Sequence, residues 1–222
     1  WYYFSFRFFW ASLNPALVVS TAGIRPLTVP QQLRDAGVPV LLLEDAYTPD
    51  QAAERIRILG QALQQEERAG ELIASMREDL AVAAAEQADA ERKPRVLFIY
   101  TRGASMVNVA GQGTAAHAVI ELAGGENVMA AFDGYRPLTA EAAVTAAPDI
   151  ILVPERGLQM LGGMEAFLEQ PGLALTPAAR EGRILAIDDA YLLSFGPRLG
   201  RGVLELNRQL AGTVQNETQN EN

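Results

Sequence analysis

Between Thr48 and Glu91 the chain carries one continuous helical pattern, and any fold has to find room for it. Apolar residues recur at Ala52, Ile56, Leu59 and Leu63, then at Ile73, Met76, Leu80 and Ala84, which predicts a helix with a single apolar stripe. Thr48 suits an N-cap, Pro49 the first helical position, and Gln51 the far end of a capping box. At about 1.5 Å per residue, about forty residues would reach roughly 60 Å, longer than a small domain is wide. Gly60 and Gly70 weaken such a helix by up to about 1 kcal/mol each and are the expected places for a bend or break. A helix of this length belongs to a coiled coil, a helical repeat or a strut between lobes, and its flanks decide among them.

Ahead of it, residues 17–20 read as a short buried strand and 28–36 as a helix that Thr28 caps and Gly37 ends. Residues 38–43 (VPVLLL) then read as a second buried strand. Behind it, strands are predicted at 95–100 (RVLFIY), 106–109, 127–129, 149–153 (DIILV) and 182–187. Helices are predicted at 115–123, at 139–147 behind a Thr139 cap, at 164–169 and at 198–210. Residues 133–138, 154–163 and 188–197 read as loops, and the polar tail from Gln215 as disordered. The segment 14–20 echoes 147–153, each leading through a short helix to another apolar strand. The pattern is α/β: two Rossmann-like lobes with mostly parallel sheets, joined by one long α-helix.

The expected organisation is a partial N-terminal lobe at 12–47, the linking helix at 48–91 and a C-terminal lobe at 92–214, with 1–11 and 215–222 outside the core. Compared with its partner, the N-terminal lobe starts half-way through and is expected to be truncated. The stripe around Ile56 and Leu59 is then expected to be left partly uncovered. The opening WYYFSFRFFW is a dense aromatic run, too short to span a bilayer and without the pattern of a signal peptide; it reads as a buried strand, a membrane-surface anchor or, the favoured reading, non-native coding sequence.

Composition narrows function by exclusion. A net charge of −9 over 222 residues, with no basic run, argues against nucleic acid as the main partner. With no cysteine there are no disulfides, thiolate metal sites or cysteine nucleophiles. The turn at Gly111-Gln-Gly-Thr114 lacks both the spacing and the lysine of a phosphate loop. One histidine, and no paired-carboxylate or nucleophile-elbow pattern, leave little material for acid–base catalysis, so an enzyme is not expected.

Three segments resemble the periplasmic haemin-binding proteins of bacterial ABC importers: residues 113–125 (GTAAHAVIELAGG), 133–142 (DGYRPLTAEA) and 188–198 (DDAYLLSFGPR). The resemblance runs from about Leu13 to Leu210, and its haemin-specific part rests on these motifs in combination. It implies two lobes around a haem-binding cleft, no catalysis, residence in the periplasm as an expected monomer, and delivery of haem to a membrane permease and its ATPase. It also implies an iron-ligating tyrosine in the N-terminal lobe, in a segment this chain does not contain.

Tyr135, in the C-terminal counterpart of that position, is the candidate ligand, since phenolate oxygen binds ferric haem iron. Arg136 beside it is a candidate to favour the phenolate or to pair with a propionate. His117, near a helix N-terminus that suits a neutral imidazole, is the second candidate iron ligand. Met106 is a candidate porphyrin contact, and Arg156 and Arg198 are candidate propionate partners in loops after strands. Glu141, in the first turn of a helix, fits the position where relatives dock acidic residues on the permease. Each has a plainer reading: packed tyrosine, satisfied histidine, core methionine, solvated arginine, helix-start acid. The alternatives for the whole chain are a cobalamin or ferric-siderophore carrier of the same fold, half of a chelatase- or nitrogenase-like enzyme, or a truncated product without function.

Overall fold

The computed structural model describes residues 15–88, 90, 92–101 and 106–220, the last seven of these by their backbone alone. The aromatic run at 1–11 therefore lies outside the described residues. The chain forms two compact units, 1–46 and 47–222.

In the first unit, β1 (Val18–Thr21) and β2 (Val40–Leu43) pair in parallel with Val18 opposite Val40, and α1 (Val29–Asp35) makes the crossover that parallel pairing requires. Thr28 does not cap α1 as expected, because its backbone is already helical and its side chain accepts no bond. Gly37, at φ 79°, ends α1 as predicted, with the Val38 N–H donating to the Leu33 carbonyl.

The second unit opens with the long helical stretch, which is not one rod. It forms α2 (Pro49–Ala62) and α3 (Glu66–Gln87). The capping box at Thr48 and Gln51 is present as read. The break falls at Gln64, whose φ of 54° lies in the left-handed region. The Gln65 N–H reaches back 2.8 Å to the Gly60 carbonyl and the Gln64 N–H 3.2 Å to that of Gln61, the paired bonds of a Schellman stop. The chain then doubles back. A Cβ on Gly60 would stand 2.5 Å from the Ala69 Cβ, so glycine is what lets the two helices approach. Arg77 pairs with Asp50 at 3.2 Å across the open end of this hairpin. Both are exposed, so the pair contributes little. Ile56, expected to be left uncovered, is buried, because α2 folds onto α3. Gly70 stays inside α3 without a break.

A non-glycine residue in left-handed geometry costs about 1 kcal/mol. Gln64→Gly is therefore expected to stabilise the unit by up to about 1 kcal/mol, read as a higher urea midpoint at an unchanged slope.

The rest is a six-stranded sheet in the order β6-β4-β3-β7-β8, with β5 beside β3. Its strands are β3 (Arg95–Thr101), β4 (Val107–Ala110), β5 (Glu126–Asn127), β6 (Tyr135–Pro137), β7 (Ile150–Pro154) and β8 (Ile184–Ile187). β5, β7 and β8 continue the parallel direction of β3 or its neighbours, while β4 runs antiparallel to both β3 and β6. The helices are α4 (Ala115–Leu122), α5 (Ala140–Ala146), α6 (Glu155–Leu161), α7 (Met164–Leu168), α8 (Pro177–Arg180), α9 (Asp189–Leu192) and α10 (Leu199–Asn220).

Apolar runs in β3 and β7 are buried on both faces, as parallel strands between helices should be. Leu97, Ile99, Val109, Ile151 and Val153 form one core with Leu138, Ala143, Leu161, Phe167, Leu173 and Ala178. On the other face, Val96 meets Ile120 of α4 and Leu210 of α10 around Gly125. The hairpin closes that side, where α3 packs along α10.

Three predicted loops hold structure. Residues 154–163 contain α6, which Gly157 seats against β3: a Cβ there would lie 2.8 Å from the Thr101 Cγ2. Residues 188–197 contain α9, capped by the Asp188 carboxylate, which accepts the Tyr191 N–H at 3.0 Å. Residues 133–138 contain the edge strand β6. The helix α10 runs to Asn220, past the point where the tail was expected to lose structure, since each added residue of an established helix gains a backbone bond.

Candidate functional site

Open α/β sheets bind ligands beyond the carboxyl ends of their parallel strands. In the second unit that edge is marked by Thr101, Pro154 and Ile187. β4 starts there, because Val107 pairs with Thr101, so Met106 lies at this edge and is exposed. Arg156, read as a loop residue, is the second residue of α6, exposed and adjacent to the Gly157–Thr101 contact. Arg198 precedes α10 with its guanidinium 4.9 Å from the Tyr191 ring centroid. Tyr47, just before the Thr48 cap, packs edge-on against the buried Phe195 at 6.3 Å.

Tyr135 begins β6 opposite Ala110, and Arg136 sits opposite Val109. Strand alternation sends neighbouring side chains to opposite faces. Tyr135 takes the face of Tyr100, with ring centroids 5.6 Å apart and planes tilted by 51°. Arg136 goes the other way, its guanidinium 4.4 Å above the Phe132 ring. The expectation that Arg136 favours a Tyr135 phenolate is thus corrected. Burial pushes the Tyr135 hydroxyl above its ordinary value, and the nearby Tyr100 and Tyr47 hydroxyls add to the rise. Tyr135 as a whole remains 47% exposed.

His117 is the third residue of α4, behind the Thr114 cap whose hydroxyl accepts its N–H at 3.1 Å. Its ring does not stand free: Nδ1 lies 3.2 Å from the amide nitrogen of Asn127. Glu141 is exposed in the first turn of α5, capped by Thr139, with Val144 exposed on the next turn.

Sequence reasoning missed Tyr47, Tyr100 and Asn127. Tyr100 was absorbed into an apolar strand, and only the register of β3, β4 and β6 brings it to Tyr135. Asn127 sat in a weak strand signal with no pattern of its own.

Comparison with known proteins gives the family and the shared fold. Residues 11–191 match the periplasmic binding protein family. The haem-binding protein RhuT from Roseiflexus sp. RS-1, solved in its apo form, is 38% identical, with a TM-score of 0.87 over 91% of this chain and 78% of that one. BhuT, solved in complex with two haems, is 36% identical, with a TM-score of 0.85 over 93% and 79% of the two chains. An uncharacterised ABC transporter substrate-binding lipoprotein of Bacillus subtilis, YvrC, is 26% identical over 198 residues. This chain covers 62% of the length of that relative, and the match takes in 88% of its own. With most of its sequence matched and its fold shared with haem-binding relatives, the chain belongs to the periplasmic binding protein family, whose members bind substrates for ABC transporters and are not enzymes.

Proposed function

We propose that this protein binds haem against the face of the second unit's sheet that carries Tyr100 and Tyr135, and presents it to an ABC permease and its ATPase. The observation that carries the reading is Tyr135: a half-exposed phenol on an edge strand, its ring backed by Tyr100. Phenolate is a hard oxygen ligand suited to ferric iron, and the neighbouring Tyr100 ring offers apolar surface for a porphyrin face. Arg156, exposed at the carboxyl edge that Tyr100 adjoins, is the propionate partner favoured here, since guanidinium pairs well with carboxylate. Arg198, already stacked on Tyr191, is the second.

The relatives' named ligand supports haem over cobalamin or a siderophore. A bare metal ion is a poorer fit, because among the described residues no three His, Asp or Glu side chains converge. Glu141, exposed and flanked by Val144, is assigned to permease docking, and an extracytoplasmic location follows from the kinship with a substrate-binding lipoprotein.

Titration with haemin tests the reading. The expected result is saturable binding with the charge-transfer bands of phenolate-ligated, high-spin ferric haem, and loss of those bands in Tyr135→Phe. Saturable binding of cobalamin or a ferric siderophore with none of haemin would replace the ligand. Unchanged bands in Tyr135→Phe would move the iron to another residue.

A further inference from the structure

The surroundings of the single histidine determine what it can offer a ligand. Asn127 is 2% exposed, and each of its amide atoms meets a group of known polarity. Its Oδ1 accepts the backbone N–H of Met129 at 3.1 Å, and its Nδ2 donates to the backbone carbonyl of Ala110 at 2.9 Å. A backbone N–H only donates and a carbonyl only accepts, so the amide cannot be turned over without breaking both bonds. The remaining Nδ2 hydrogen faces His117 Nδ1 at 3.2 Å. An amide nitrogen has donors to give and no lone pair to offer, so Nδ1 is the acceptor and carries no hydrogen. The neutral ring then holds its hydrogen on Nε2, which has no protein partner among the described residues. A ring nitrogen bearing a hydrogen has no lone pair for a metal.

We propose that Asn127 is a positioning residue that holds His117 with its hydrogen on Nε2, so that the histidine does not ligate the iron of a bound haem. The ring is anchored twice. Its backbone is tied to the Thr114 hydroxyl, which donates in turn to the Gly111 carbonyl at 2.8 Å, and its Nδ1 is tied to the Asn127 amide. Swinging Nδ1 away to free the other tautomer would leave a buried amide hydrogen without a partner, a costly state. That the excluded metal is haem iron rests on the proposed function; the state of the ring does not.

Because the chain has one histidine, a long-range nitrogen–proton correlation spectrum of the ligand-free protein reads this ring alone. Hydrogen on Nε2 is the expected result, and hydrogen on Nδ1 would overturn the proposal whatever haemin does. Asn127→Asp puts an acceptor opposite Nδ1 and is expected to move the hydrogen there; a ring that stays Nε2–H in that variant would remove Asn127 from the role.

With haemin bound, His117→Leu is expected to leave the visible bands unchanged. A change of ligand-field bands in His117→Leu would make the histidine a ligand and overturn the proposal. A wild-type chain that binds no haemin, with its ring in the Nε2–H state, would count against the haem reading and not against Asn127.

Discussion

Replacing Phe167 by alanine is expected to destabilise the second unit by about 3–5 kcal/mol. The ring is fully buried in the core that Leu97, Ile99 and Ile151 form on one face of the sheet. It is also the sole buried side chain of α7, a helix of five residues. So short a helix does not form on its own, because nucleation costs more than one turn of bonds returns. Its backbone bond from the Phe167 N–H to the Gly163 carbonyl at 3.1 Å therefore depends on the ring being held. Truncation removes both the buried surface and the anchor, and the neighbours can collapse only partly into the space. The midpoint of thermal unfolding, followed by far-ultraviolet circular dichroism, should fall by roughly 10 °C. Met164→Ala in the same helix alters an exposed side chain and should shift stability by no more than about 0.5 kcal/mol. A Phe167→Ala effect as small as that would mean that α7 is held by something other than its ring.

What could be read in advance follows from how local each signal is. β3 and β7 were legible because a continuous apolar run has nowhere to go but between two layers of helix. α4 and α5 were legible because Thr114 and Thr139 each bond the N–H three residues on, a contact wholly contained in the sequence. The hairpin was not. The expected breakers Gly60 and Gly70 stay within helices, and the turn is made by Gln64, a residue with no turn signature, because the helices gain more by packing than one strained residue costs. α6 was hidden by Pro154 and Gly157, and it takes shape from the seat that Gly157 finds on Thr101. β6 was read as a loop because it has three residues and ends in proline, which an edge strand tolerates. At the site, the types Tyr135 and His117 were visible, but their roles are set by partners far off in sequence. Tyr100 reaches Tyr135 through two strand pairings, and Asn127 fixes which nitrogen of His117 bears the hydrogen.

The affinity for haemin is expected to rise about tenfold per pH unit through the neutral range, and so about 100-fold from pH 6 to pH 8, relative to Tyr135→Phe. The sign follows from the state of the ring before binding. Burial, with the Tyr100 and Tyr47 hydroxyls adding to it, lifts the Tyr135 hydroxyl above the ordinary tyrosine value, so the free protein holds a neutral phenol throughout that range. Iron binds the phenolate, so each haem taken up by Tyr135 releases one proton, and lowering the proton concentration drives uptake. Arg136 gives no relief, since its guanidinium lies over Phe132 on the other face of β6. Tyr135→Phe keeps the ring and its contact with Tyr100 while removing the proton, so the ratio of the two affinities cancels the titration of haemin itself. Removing a neighbouring hydroxyl in Tyr100→Phe should ease ionisation and raise affinity at pH 6 without changing the slope, because one proton is still released. A ratio independent of pH would mean that the iron does not rest on the Tyr135 oxygen. The Tyr100 ring would then hold the porphyrin by its face, with the metal left to water or to a partner.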